Sequence, residues 1–234
     1  MSDSQEPAAL IVGASRGLGL GLVQQLIGRG WRVLATVRDP SRQTPLHAVA
    51  ARGGGRAEIE HVDINRCEDI AALKARLAGR SFDLLFVNAG VSNGKFETVR
   101  DSDPSEFTRL LVTNALSPMT VVDAFCESVR PDGVIGVMSS LLGSIEANAA
   151  GGYEFYRASK AALNMMMKSF AVSHGEAPWS FVSISPGWVR TDMGGSAAPL
   201  DVETSMGGVA AVLESRRGTR GFAFLNYRGE TVPW

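Results

Sequence analysis

Short, wholly apolar runs recur along this chain, and after each one the apolar residues return at helical spacing. Ala8–Val12 (AALIV) is buried-strand sequence, and Leu18, Leu22, Val23 and Leu26 then mark one face of a helix over 18–27. Further strands are expected at 32–37, 57–62, 83–87, 134–138, 181–184 and 222–225. Helices are expected at 45–52, 68–77, about 104–129 and about 156–174. Strands apolar on both faces belong in a parallel sheet with helices covering each side. The pattern predicts an α/β fold: a doubly wound parallel sheet of about seven strands with helices on both faces, in a single domain spanning 1–234. The stretch 192–201 contains Gly194, Gly195 and Pro199 and has no periodicity, so it is the expected mobile segment.

Composition removes several classes of function. The 23 Lys and Arg nearly cancel the 24 Asp and Glu, which argues against nucleic acid as a partner. No run approaches the ~18 apolar residues of a membrane span. The polar, acidic start MSDSQEPAA is neither a signal nor a transit peptide. Cys67 and Cys126 are far apart and form no CxxC, which suits a reducing, cytoplasmic setting. His47, His61 and His174 have no metal-ligand spacing, so no metal is expected. Glycine is the unusual count, 26 of 234 residues, against an average near ~7%.

Three of those glycines fall in one turn. Gly13, Gly17 and Gly19, with Ser15, Arg16 and Leu18 between them, follow the first strand and open the first helix. Glycine lets a backbone turn tightly and approach a pyrophosphate, whose charge the helix N-terminus attracts. This is the signature of a Rossmann-type dinucleotide site. The second strand then bears on which dinucleotide. An acidic residue there would bind a ribose 2′-hydroxyl; here Val37 is followed by Arg38. Arg38 and Arg16 could clamp a 2′-phosphate, which favours NADP(H), unless Asp39 pairs with Arg38.

Tyr156 and Lys160 stand four residues apart, neighbours on one helical face. A free phenol has a pKa near ~10, and a cation alongside would bring it closer to neutral pH for proton transfer. Pro118, inside the expected long helix, deprives the Asn114 carbonyl of its helical partner at a cost of roughly 3 kcal/mol. That carbonyl then needs water or a ligand. The same helix has a start signal in Asp103, Pro104 and Glu106.

Taken together these residues resemble the short-chain dehydrogenase/reductase family. The resemblance rests on the glycine turn, Asp63, Asn88-Ala89-Gly90, Asn114, Ser139-Ser140, Tyr156 with Lys160, and the segment from Pro186 and Gly187 to Thr191. These occur in the family's order. Within it the chain is most similar to the C-factor and carbonyl-reductase-like members, through Tyr156-Arg157-Ala158-Ser159-Lys160 and Val232-Pro233-Trp234.

The resemblance implies roles. Tyr156 would be the general acid/base, Lys160 would lower its pKa and bind the nicotinamide ribose, and Ser140 would hydrogen-bond the substrate oxygen. Asn114 would hold a water linking Lys160 to solvent. Asp63 and Ile64 would hold the adenine, and Asn88, Ala89 and Gly90 would support the cofactor. Pro186, Gly187, Val189 and Thr191 would bind the carboxamide.

Two departures stand out. Ser140 lies further before Tyr156 than is commonest in the family, with Gly151 and Gly152 in the extra length, so Ser139 and Ser144 are alternatives for the working serine. The segment after Thr191 is short and rich in small residues, which suits broad or bulky carbonyl substrates. Met165, Met166 and Met167 are expected in the core or at a subunit contact. The expectation is an NADP(H)-dependent oxidoreductase acting on a small-molecule carbonyl or alcohol substrate, in a homodimer or homotetramer. A nucleotide-sensing or signalling protein with little turnover is the rival from another class, and an NAD-linked alcohol dehydrogenase is the other.

Overall fold

The structure, a computed structural model, describes residues 6–93, 98–101 and 103–234. Residues 1–5 of the acidic start considered above fall outside them. Seven parallel strands form one sheet: β1 (Ala8–Val12), β2 (Arg32–Val37), β3 (Ala57–His61), β4 (Phe82–Val87), β5 (Val129–Met138), β6 (Ser180–Ser185) and β7 (Gly221–Asn226). Their spatial order is β3-β2-β1-β4-β5-β6-β7. Register runs Leu10↔Leu34, Leu10↔Leu85, Leu85↔Ile135 and Ile135↔Phe181 across the centre.

Helices cover both faces, as the doubly apolar strands require. Alternate strand residues go to opposite sides. Leu10, Leu34, Leu85 and Ile135 pack on α3 (Cys67–Arg76), α5 (Ser117–Phe125) and α6 (Glu154–Ser173), through Ile70, Val122, Leu163 and Met167. Ile11, Val33, Phe86 and Val134 pack on α1 (Gly17–Gly28), α2 (Pro45–Arg52) and α7 (Val202–Ser215), through Leu22, Leu46, Met206 and Val209. The sheet order changes direction where β1 meets β4, and the crevice outside the carboxyl ends of the strands at such a switch point is the usual ligand position in these sheets.

Two expectations need correction. The long helix of 104–129 is broken: α4 (Pro104–Leu111) passes through a π-helical turn (Val112–Leu116) into α5, where the Ser117 N–H donates to the Val112 carbonyl. Widening the turn next to Pro118 keeps the helix continuous despite the missing donor. Asp103 caps α4 by accepting from the Ser105 N–H, while the Glu106 carboxylate binds Arg109. Second, α7 lies where periodicity showed no helix, because Gly207 and Gly208 interrupt it.

The stretch 192–201 is also tied down. Val189 bridges Leu200, the Arg190 N–H donates to the Leu200 carbonyl, and the Arg190 guanidinium holds the carbonyls of Ala198 and Pro199.

Candidate active site

The glycine turn sits against the ends of two strands. Thr36, buried in β2, accepts from the Gly13 N–H through Oγ1 and from the Ala14 N–H through its carbonyl. On the other side Asn88 Nδ2 donates to the Gly13 carbonyl at 2.7 Å, and the Asn88 and Ala89 N–H groups donate to Val12. Gly13 has φ of +90°, and a Cβ there would stand 2.7 Å from the Ala89 nitrogen. No side chain is tolerated. A Cβ on Gly19 would lie 2.1 Å from the Gly13 carbonyl oxygen, so the turn closes on itself.

The site suits a dinucleotide by three observations. Arg16 at the N-cap of α1 gives no side-chain cap, and the first turn holds no acid, so the positive end of the helix faces the crevice. Gly17 is open, its missing Cβ direction meeting only Thr191 at 3.9 Å. Asn88 Oδ1 is buried without a hydrogen-bond partner among the described residues, an acceptor in need of a donor.

The arginines occupy different surroundings. Arg38 is exposed and makes no ion pair among the described residues, because Asp39 binds the Ser41 N–H and hydroxyl instead. Those hydrogen bonds hold the Asp39 carboxyl below its usual range. Arg16 reaches across the crevice to Asp192, tying the glycine turn to the loop after β6. Asp63 accepts from the Asn65 N–H in a tight turn after β3, and Ile64 beside it is buried.

Four side chains converge below the crevice. The Ser140 hydroxyl lies near enough to the Tyr156 phenol to oppose the rise in its pKa. Lys160, buried, lies with its ammonium 5.9 Å from the Tyr156 ring centroid and donates to the Met138 carbonyl at 2.9 Å. Asn114, fully buried in the π-helical turn, has its amide donating to the Val91 carbonyl and Ser159 and accepting from the Val91 N–H. It thereby fixes the chain after Gly90, whose missing Cβ direction faces Asn114 Oδ1 at 3.2 Å and Lys160 Nζ at 3.4 Å.

Burial pushes the Tyr156 phenol up to about 12, with the Ser140 hydrogen bond opposing. It pushes the Lys160 ammonium down to about 8. The causes of the phenol's shift are desolvation and the opposing Ser140 hydrogen bond; no effect of Lys160 is among them.

Of the three candidate serines, Ser139 donates to Asn164 Oδ1 and Ser144 to the Trp234 carbonyl, while Ser140 is the one that acts on the Tyr156 phenol. The extra residues before Tyr156 are taken up by a left-handed run of Gly151, Gly152 and Tyr153, with φ of +64°, +66° and +53°. Arg157 secures it by donating to the carbonyls of Gly151 and Gly152.

Beyond β6, Pro186 accepts at its carbonyl from Ser205, Gly187 has φ of +82°, Val189 is buried, and Thr191 accepts from the Gly194 N–H. Sequence reasoning missed Asp192, Asn164 and Trp234. Their roles come from contacts across loops, which no local spacing encodes.

The family profile described as short chain dehydrogenase matches residues 7–200. C-signal of Myxococcus xanthus is 36% identical over 154 residues, 65% of this chain and 92% of that one. Among solved structures, a short-chain dehydrogenase/reductase from Burkholderia multivorans with bound NADP is 49% identical, with a TM-score of 0.96 over 98% of this chain and 100% of that one. A carbonyl reductase from Pseudomonas aeruginosa in complex with NADP is 37% identical, with a TM-score of 0.91 over 98% and 100% of the two chains. Similarity of this extent, in sequence and in three dimensions, makes the chain a member of the short-chain dehydrogenase family.

Proposed function

We propose that this chain is an NADPH-dependent oxidoreductase of the carbonyl reductase or alcohol dehydrogenase type, its whole length forming one catalytic domain. The observation that carries this reading is the cluster of half-buried Ser140 and Tyr156 with buried Lys160, on the same chain as the glycine turn. NADPH, when bound, supplies the hydride that reduces a ketone or aldehyde.

The chain's own residues supply the rest. Ser140 donates a hydrogen bond to the substrate carbonyl oxygen, where negative charge develops. Tyr156, its phenol pushed up to about 12, keeps its proton at neutral pH and gives it to that oxygen. Lys160 holds positive charge beside the phenol and ribose, and Asn114 keeps the Val91 backbone and Ser159 in register around it. Gly13, Ser15, Arg16, Gly17, Leu18 and Gly19 bind the pyrophosphate region, and Arg38 takes the 2′-phosphate. Asp63 and Ile64 take the adenine, with Asn88, Ala89, Gly90, Pro186, Gly187, Val189 and Thr191 holding the nicotinamide half. Met165 and Val172, exposed along α6, supply an apolar face for assembly into a homodimer or homotetramer.

The test follows nicotinamide absorbance with NADPH and NADH across a panel of aldehydes, ketones and diketones. Tyr156→Phe should lower kcat by about 10²–10⁴-fold while leaving NADPH affinity intact. Arg38→Ala should weaken NADPH by about ten-fold, the loss of a charge-assisted contact, with NADH unaffected. Similarity to C-signal favours a second reading, NADP(H) binding with little turnover in a sensing or signalling protein. Tight NADPH binding with no turnover of any compound, in either direction, would select that second reading.

A further inference from the structure

The segment carrying Ser140 is held from two sides. On the inner side the Leu141 N–H donates to Ser185 Oγ, and Gly143 lies so close to Lys160 that a Cβ would come within 2.9 Å of its backbone. On the outer side the support is Trp234. Its carbonyl oxygen accepts from the Glu146 N–H at 2.6 Å and from Ser144 Oγ at 3.1 Å. Ser144 Oγ in turn accepts from the Ala147 N–H at 3.0 Å, so one oxygen and one hydroxyl gather three donors of this loop.

Trp234 is itself anchored to the sheet. Thr231 bridges Leu225 and the Val232 N–H donates to the Phe224 carbonyl, so the strap runs back along β7. The indole ring lies against Phe222 and Phe224, with centroids at 5.4 Å and 5.6 Å. Half of the Trp234 surface is nevertheless exposed, as expected of an anchor on the surface and not of a core residue.

The connection to chemistry runs through the short turn at Leu141–Gly143. Ser140 Oγ accepts from the Leu142 N–H at 3.1 Å, and the Ser140 carbonyl accepts from the Gly143 N–H at 2.9 Å. With one lone pair of the hydroxyl oxygen committed to Leu142, the hydroxyl is restricted in how it can face Tyr156. The turn therefore aims Ser140. Ser144 closes that turn, its N–H donating to the Leu141 carbonyl at 3.0 Å.

We propose that Trp234 is a positioning residue for Ser140: its ring fixes the strap to β7, and its carbonyl oxygen holds Ser144 and Glu146 so that the turn between keeps the serine hydroxyl on the phenol. The proposal rests on the functional reading above, and its test has an arm independent of turnover.

Hydrogen–deuterium exchange on the full chain compares wild type, Trp234→Ala and Trp234→Phe. Loss of the anchor should speed exchange across 141–150 by about ten-fold, the equivalent of a ~1.4 kcal/mol weaker local structure, without changing 8–20. Phe, which keeps an aromatic ring against Phe222 and Phe224, should restore slow exchange. In turnover, Trp234→Ala should lower kcat by about ten-fold with NADPH affinity unchanged, and Phe should recover it. Unaltered exchange over 141–150 in Trp234→Ala overturns the strap. Faster exchange with unaltered kcat overturns its link to Ser140, as does a fall in NADPH affinity parallel to that in kcat. If Trp234→Ala does not fold, Ser144→Ala, which deletes one of the bonds to Trp234, gives the same two readouts. A wild type without turnover refutes the reductase reading and leaves the exchange result to decide the strap.

Discussion

Burial acts in opposite directions on Tyr156 and Lys160. A phenol loses nothing by staying neutral in a dry site, whereas an ammonium loses hydration that one carbonyl, that of Met138, replaces only in part. A pKa held at about 8 in place of 10.5 means the fold disfavours the charged lysine, by on the order of 3 kcal/mol at neutral pH. Between those values the unfolded chain binds more protons than the folded one, so stability from this group rises with pH. Lys160→Met removes that dependence. Without added nucleotide, the variant should be about 1–2 kcal/mol more stable than wild type at pH 7, after allowing for the lost hydrogen bond. Denaturant melts should show the gain shrinking from pH 8 to pH 10.5; parallel curves through that window would refute the assignment. The same variant should be inactive.

At the scale of elements, two close approaches set the architecture. A Cβ on Gly21 of α1 would meet Val202 at 2.3 Å, and one on Gly208 of α7 would meet the Tyr227 carbonyl at 2.3 Å. Glycine lets α7 lie against α1 and the β7 loop, so residues that weaken a helix locally are the ones its packing needs. The glycine turn obeys the same logic more severely. Gly13→Ala would force both a positive φ and a collision with Ala89. It should cost about 2–3 kcal/mol of stability and abolish NADPH binding, checked by thermal melts and calorimetric titration. The motifs of this turn, of Tyr156 with Lys160 and of Asn88 to Gly90 were legible because each lies within a few adjacent residues of one element or one strand-to-loop junction. The break of the long helix was half legible: Pro118 announces a missing bond, but only packing of Asn114 against Val91 and Ser159 explains a π-helical turn in place of a kink.

At the scale of the whole molecule, the end of the sheet opposite the crevice is closed by Asp83. Its carboxylate accepts from the Ala8 N–H, Arg130 and Arg217, joining β1, β4, β5 and the chain beyond α7. Arg217 also lies over the Trp31 ring, whose Nε1–H donates to Glu214. Since both arginines retain partial solvent contact, Asp83→Ala should cost less than a fully buried pair, about 2–3 kcal/mol. Urea denaturation should register that loss while NADPH affinity, set at the other end of the strands, stays within about two-fold. A loss of cofactor affinity equal to that of stability would show the two ends to be coupled.

The sequence by itself determined the alternation of strands and helices, the two-sided burial of the sheet, and the glycine turn. Each depends on the periodicity or stereochemistry of adjacent residues. Tertiary structure decided which of three serines acts on the phenol, that Arg16 pairs with Asp192 while Arg38 makes no ion pair among the described residues, and that burial moves Tyr156 and Lys160 in opposite directions. It also decided that Gly207 and Gly208 belong in a helix and that Trp234 reaches Ser144 from the β7 edge of the sheet. These depend on distances between segments remote in sequence and on the loss of water when they meet. Neither quantity is a property of any stretch of chain taken alone.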